Sequence, residues 1–330
     1  MKQVKTPTEA KQATESSYTP DNQVVVSLRH LIDMQYKACS FRFASPHMIN
    51  SLMMGRHRSR MRGRGLNFEE LRHYRVGDDI RNMDWKVTNR TRKPHVRVYA
   101  EERERQVMVV IDQRASMLFG SKRVMKSVAA AELGALAAWR TLDAGDRIGA
   151  VIFSDNHIAE IRPHRSRTQI MRTLSVLQEY NQSLLTGVTP SMAGQPQANN
   201  GEQLNHILNK LNALAGHDMQ ICLFTDLYGA DTTTEKLMAT LSQHNDVLLG
   251  FVYDPLEGEL PQGGTMAVSD GGLQLEVNTR DKSLRERYKA FFDQRLDHAR
   301  KFLRGYGIPV LPFSTHEPVD VQLAQMIEGV

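Results

Sequence analysis

Asp112 and Asp226 each close a short apolar run, Val107–Ile111 and Met219–Thr225. Aspartates so placed can do chemistry. In open parallel sheets, ligands gather beyond the carboxyl ends of the strands, near the point where strand order reverses. Other constellations are weaker. Gly120-Ser121-Lys122 lacks the first glycine of a phosphate loop and puts Ser before Lys, so it reads as a turn and a helix cap. Asp78, Asp79 and Asp84 cluster as carboxylates for metal or acid–base work would. Arg72, Arg75 and Arg81 stand among them, however, and the expectation is turn capping and ion pairing. None of the twelve histidines takes the HExxH spacing or has a Cys at zinc spacing. There is no Gly-x-Ser-x-Gly elbow and no convincing Ser/His/Asp set.

The elements that must position the two aspartates follow from hydrophobic periodicity. From Gln106 onward, strands and helices alternate. Strands are expected over 107–111, 147–153, 219–225, 246–253 and 308–313, with a hairpin partner over 157–162. Helices are expected over 122–142, with Ser121 as cap, and over 168–180, 202–215, 233–244, 283–304 and 318–327. Residues 181–200 read as a surface loop, and 256–277 as loop plus a small hairpin. This alternation predicts an α/β fold, a doubly wound, mostly parallel sheet with helices on both faces.

Ahead of it, 24–42 has helical spacing and 95–100 alternates as a strand does. Three divisions are expected: a disordered polar tail over 1–23, an N-terminal segment over 24–100, and the α/β domain over 101–330. Phe68, Tyr74 and Trp85 are read as packing residues of that segment.

Composition narrows the class. The chain has 330 residues, 41% hydrophobic and 24% charged, as a soluble globular protein does. Its N-terminus has no apolar signal core, and no apolar run is long enough to cross a bilayer. Cys39 and Cys222 are far apart and read as reduced thiols. The expectation is a cytoplasmic protein. The net charge of +5 is uneven, with thirteen Lys or Arg against five Asp or Glu between Arg56 and Arg97. Its densest part is Arg56, Arg58, Arg60, Arg62 and Arg64, which would suit nucleic acid, anionic lipid or an acidic protein surface.

Two stretches carry a recognisable pattern. One is Gly63-Arg64-Gly65-Leu66-Asn67-Phe68-Glu69-Glu70-Leu71-Arg72-His73-Tyr74, continuing through Gly77-Asp78-Asp79-Ile80-Arg81-Asn82-Met83-Asp84-Trp85. The other is Val109-Val110-Ile111-Asp112-Gln113-Arg114-Ala115-Ser116-Met117, then Phe119-Gly120-Ser121, with Gly145-Asp146-Arg147-Ile148-Gly149 beyond. Together they resemble the domain-of-unknown-function 58 family over roughly residues 60–255. The resemblance implies a von Willebrand factor A-like fold. It also implies association with MoxR-type AAA+ ATPases, in an adaptor or chaperone-like role with no enzymatic activity.

Many von Willebrand factor A-like domains hold Mg²⁺ at an adhesion site whose first loop reads Asp-x-Ser-x-Ser, with a Thr from a second loop and an Asp from a third. Carboxylates and hydroxyls are the hard oxygen donors that Mg²⁺ prefers. Here Asp112 matches the first Asp, Ser116 the last Ser and Asp226 the third-loop Asp, while Glu202 fills the second-loop slot, or Thr186 or Thr189 does. Arg114 stands where the middle Ser belongs, and a guanidinium has no lone pair for a metal. The expectation is therefore a degenerate, metal-free site in which Arg114 faces Asp112, Asp226 and Glu202. Were Mg²⁺ held, Asp112, Ser116 and Asp226 would be its ligands. The functional expectation is a non-catalytic adaptor for a MoxR-type ATPase or its client, with Arg56–Arg64 as an electrostatic docking stretch. The alternative is nucleic-acid binding through the same arginines.

Overall fold

Valines, isoleucines and leucines in unbroken runs favour strands buried on both faces, and this sheet is made of them. The structure, a computed structural model, describes residues 21–40, 67–100, 104–186, 203–261, 263–269 and 274–328. The chain divides into two compact units, one formed by 1–55 with 106–330 and the other by 56–105.

In the larger unit the elements run α1 (Leu28–Ser40), then β3 (Gln106–Asp112), α3 (Lys126–Asp143), β4 (Arg147–Phe153), β5 (Ile158–His164) and α4 (Arg167–Thr186). They continue with α5 (Gln203–Leu214), β6 (Gln220–Thr225), α6 (Thr232–His244), β7 (Asp246–Tyr253) and α7 (Pro255–Gly258). The hairpin β8 (Thr265–Ser269) and β9 (Gln274–Asn278) is followed by α8 (Lys282–Gly305), β10 (Val310–Ser314) and α9 (Val319–Glu328). The smaller unit holds β1 (Asn67–His73), α2 (Trp85–Thr91) and β2 (His95–Ala100).

Six strands form the central sheet in the order β10-β7-β6-β3-β4-β5. All neighbours are parallel except the β4–β5 hairpin. Alternation along β3 splits the core in two. Val107, Val109 and Ile111 face a cluster with α1, α3 and α4, while Met108 and Val110 face one with α5, α6 and α8. Each such fully buried aliphatic side chain is worth about 1.5–3 kcal/mol. Helix α3 approaches so closely that a β-carbon at Gly134 would collide with the Ile111 side chain. Both edge strands carry a proline, Pro163 in β5 and Pro312 in β10, which discourages further strand pairing.

The chain leaves β3 for β4 on one side and returns to β6 on the other, so the reversal of strand order falls between β3 and β6. Asp112 and Asp226 flank that point.

Three sequence expectations change. Helix α3 begins at Lys126 rather than 122, with Met125 at its cap position, because 118–124 makes a separate excursion closed by Lys126 N–H donating to Phe119 O at 2.8 Å. Ser121 is therefore not a helix cap. Helix α4 continues to Thr186, and the Thr186 hydroxyl donates to Gln182 O at 3.1 Å, back into its own helix. In the smaller unit Trp85 is not packed: it is 65% exposed.

Within that unit β1 pairs antiparallel with β2. Arg72 clasps Asp78 at 2.7 and 2.8 Å, and Asp78 also accepts from Arg75 N at 2.7 Å. Gly77 sits at φ +105°, a conformation open to glycine, in the turn just before it. Asp79 caps the turn at 80–82, accepting from Arg81 N. Asp84 caps α2 and binds Arg97 at 2.9 Å. The carboxylates thus cap and pair as expected, with Arg97, an arginine outside the expected set, serving Asp84. Arg56, Arg58, Arg60, Arg62, Arg64, Gly63, Gly65, Thr189 and Glu202, with the Phe68 side chain, lie outside the described residues.

Candidate functional site

The carboxyl ends of four parallel strands meet in one polar network. Strand β3 delivers Asp112, β6 delivers Thr225 and then Asp226, the residue after β7 is Asp254, and Thr315 follows β10. Asp112, Thr225, Asp226, Asp254 and Thr315 are all buried.

At its centre, Arg114 folds back over Asp112. Its Nε lies 3.0 and 3.1 Å from the two carboxylate oxygens, and its NH2 nitrogen lies 2.7 Å from one of them. The Arg114 backbone N–H and the Thr225 hydroxyl donate to the same carboxylate at 3.0 and 2.6 Å. Arg114 also donates to the Tyr228 carbonyl at 3.0 Å and reaches Asp226 at 3.6 Å. Its guanidinium is 5.7 Å from the centre of the Phe153 ring. Only 1% of Arg114 is exposed, an unusual position for an arginine that only pairing sustains.

A second buried cation, Lys126 at the start of α3, completes the centre. Its ammonium lies 2.8 Å from Asp226 and 2.5 Å from Glu257. Glu257 in turn accepts from Asp254 N–H at 3.1 Å, closing the capping box of α7. Asp254 gathers the Ser121 N–H and hydroxyl at 2.8 and 2.7 Å and the Thr315 hydroxyl at 2.5 Å. His316 Nε2 is 2.7 Å from the Ser121 hydroxyl.

These neighbours set the ionisation. Burial works against charge on Arg114, but Asp112 and then Asp226 outweigh it and hold the guanidinium above its ordinary value. Burial likewise opposes the Lys126 charge, and Asp226 and Glu257 overcome it, so Lys126 also titrates above its usual range. Burial pushes Asp226 up, yet Lys126 and Arg114 bring it below the ordinary carboxylate value. Asp254 is lowered too, as the Thr315, Leu256 and Ser121 donors outweigh burial. Asp112 is the exception: burial lifts it, with Arg114 pulling the other way.

Two chemical possibilities can be tested on this geometry. A Mg²⁺ ion needs oxygen lone pairs. Both Asp112 oxygens are filled by Arg114 and Thr225, and the Asp226 oxygens by Lys126 and the Tyr228 N–H. Ser116, on the turn 115–117, keeps a buried hydroxyl with no hydrogen-bond partner among the described residues, but one oxygen does not make a site. These residues do not fit the metal.

Ser121, His316 and Asp254 come together as a nucleophilic set would, but they are wired in the opposite sense. The Asp254 carboxylate accepts, so the Ser121 hydroxyl must donate its proton there. In this arrangement His316 donates to the Ser121 oxygen rather than taking its proton.

Behind the site lies a structural clamp. The Gln113 side chain donates to Ser127 O at 2.9 Å and accepts from Asn181 at 2.9 Å. Asn181 accepts from Val26 N–H at 2.7 Å, and Met125 N–H donates to Gln23 O at 2.9 Å. The residue between Asp112 and Arg114, and the residue before Lys126, are thus both tied to the segment leading into α1. That helix is locked onto α3 by His30 on Glu132 at 2.8 Å and by the Trp139 indole on Leu31 O at 3.0 Å.

The sequence pattern of the family described as "Protein of unknown function DUF58" matches residues 70–297, more than half of the chain. The chain belongs to the DUF58 family. The match takes in Asp112, Arg114, Lys126, Asp226, Asp254 and Glu257, and leaves out His316. Among relatives, uncharacterized proteins of Mycobacterium bovis and Mycobacterium tuberculosis are 29% identical over 272 residues, covering 81% of this chain and 80% of theirs. Two solved structures share 14% identity and cover 68% of the chain. One is an aerotolerance-related membrane protein from Bacteroides fragilis with multiple mutations to serines (TM-score 0.39, all of that chain). The other is the conserved hypothetical protein BatB from Bacteroides thetaiotaomicron (TM-score 0.36, 99% of that chain). No helix among the described residues of this DUF58 protein is long and apolar enough to cross a membrane.

Of the residues singled out from sequence, the structure brings Asp112, Arg114 and Asp226 together. The pattern missed Lys126, Thr225, Asp254 and Glu257. A signal existed for Asp254: like Asp112 and Asp226, it closes an apolar strand.

Proposed function

We propose that this DUF58 protein is a non-catalytic interaction module of von Willebrand factor A-like type. The rim at the carboxyl edge of its sheet receives a protein partner without a metal ion. The observation that carries the reading is the Arg114–Asp112 clasp, with Lys126 on Asp226 beside it. Two fixed cations stand among the carboxylates that would otherwise recruit one. The rim above them is exposed at Tyr228, 61%, and Phe119, 38%. Aromatic side chains on a rigid frame are favoured anchors for protein partners. The wiring of Ser121, Asp254 and His316 supports the non-catalytic part of the reading.

The partner we propose is a MoxR-type AAA+ ATPase, or a client that such an ATPase remodels. That choice rests on the family resemblance of residues 63–85 and 109–121. The test is affinity capture with the tagged full chain, with and without ATP and with and without a chelator. Recovery of a MoxR-type ATPase that changes with nucleotide, survives the chelator and falls with Tyr228→Ala supports the reading. Loss of that partner on chelation, or capture of nuclease-sensitive nucleic acid alone, overturns it.

A further inference from the structure

We propose that the outward face of α2, with the turn before it, docks an acidic polypeptide segment carrying apolar side chains. The surface belongs to the smaller unit, and the proposal holds or fails separately from the rim on the larger one. Residues 56–105 contain fifteen Lys and Arg against eight Asp and Glu, a formal +7 in a chain whose whole charge is +5, which leaves −2 for the remainder.

Asp78, Asp79 and Asp84 are spent inside the unit: Asp78 on Arg72, Asp84 on Arg97 and the α2 cap, Asp79 on the turn cap. Arg81, Lys86, Arg90, Arg92 and Lys93 make no ion pair among the described residues. The three aspartates nearest α2 in sequence are thus committed, and the cations around it are left to face outward.

It is also apolar. Trp85 is 65% exposed, Ile80 60% and Val76 fully exposed. Helix α2 turns Val87 and Thr88 inward, half-buried, and Trp85, Lys86, Asn89 and Arg90 outward. Thr88 is held to β2 by His95 N–H at 3.0 Å, which fixes which side faces out. One helix face thus presents a tryptophan between cations, and the two turns before it, at 75–78 and 80–82, expose Val76 and Ile80. Exposed tryptophan beside arginine is the composition of an interface anchor. Single-stranded nucleic acid would ask for several aromatic platforms along a groove. Aliphatic Val76 and Ile80 give nothing to a phosphate backbone but suit the side chains of a polypeptide.

The test uses the full chain and three labelled probes: a peptide of about 15 residues alternating Asp or Glu with Leu or Phe, the same peptide with Ser for Leu and Phe, and an oligodeoxythymidine. Binding is read by anisotropy and by Trp emission, where Trp85 is the exposed tryptophan and Trp139 the buried one. The acidic apolar peptide should bind with a blue shift, and more weakly as salt rises. The Ser peptide, Trp85→Ala and the charge-reversed Lys86→Glu/Arg90→Glu protein should each lose about ten-fold in affinity. Far-UV circular dichroism and unchanged Trp139 emission confirm that the variants fold. Tighter binding of the oligonucleotide, self-association of the chain abolished by Trp85→Ala, equal binding by Trp85→Ala, or no binding of the acidic apolar peptide would each overturn the proposal.

Discussion

Arg114 holds both carboxylate oxygens of Asp112, two residues earlier in the chain, with three side-chain contacts of 2.7–3.1 Å. Neither residue exposes more than 1% of its surface. The energetics of such a pair are asymmetric. Forming it gains little, because desolvation offsets attraction; removing one member strands a buried charge at about 3–5 kcal/mol. Arg114→Ala should therefore lower unfolding stability by about that amount in chemical denaturation. Asp112→Asn/Arg114→Met, which removes both charges at similar volume, should be clearly more stable than Arg114→Ala. Equal losses would mean that packing, not charge, dominates the site.

The response to acid follows from the lowered carboxylates. Asp226 and Asp254 titrate below their ordinary value in the folded protein. Their contribution is therefore complete above about pH 5 and drains away as pH falls through the native values. Asp112, raised by burial, works the other way and blunts the loss. Urea midpoints should fall between about pH 5 and pH 3. Asp254→Asn should start lower and show a flatter acid limb; an unchanged slope would contradict the assignment.

The clamp behind the site makes a separate prediction. Asn181→Ala would leave the Val26 N–H and the Gln113 side-chain Oε1 buried without these partners. At about 1–3 kcal/mol for each orphaned group, the loss should be about 2–6 kcal/mol. Amide exchange should quicken first at Val26. A loss confined to a few tenths of a kcal/mol would show that water reaches those groups.

Much of the frame was legible in the sequence. Val107–Ile111 and Val247–Tyr253 read as buried strands because unbroken apolar runs have few other uses. Asp112 and Asp226 stood out by ending two of them. The start of α3 was less legible. Ser121 has the chemistry of a helix cap, but Asp254, 133 residues later, takes both its donors, a contact no local pattern encodes. Lys126 was hidden for a related reason. At a helix start a lysine reads as solvated, and only the meeting of β6 and α7 surrounds it with Asp226 and Glu257. Trp85 misled the other way: with Phe68 and Tyr74 it reads as the packing of a small extra layer, yet α2 turns it outward.

The most direct test of the central claim, that fixed side-chain cations stand where a metal would, is a titration of the full chain with Mg²⁺ and Mn²⁺. It is followed by calorimetry and by the thermal midpoint, for wild type, Asp112→Ala and Arg114→Ser. Wild type should show no saturable binding and no shift in midpoint. Saturable binding by the wild type, abolished by Asp112→Ala, would contradict it.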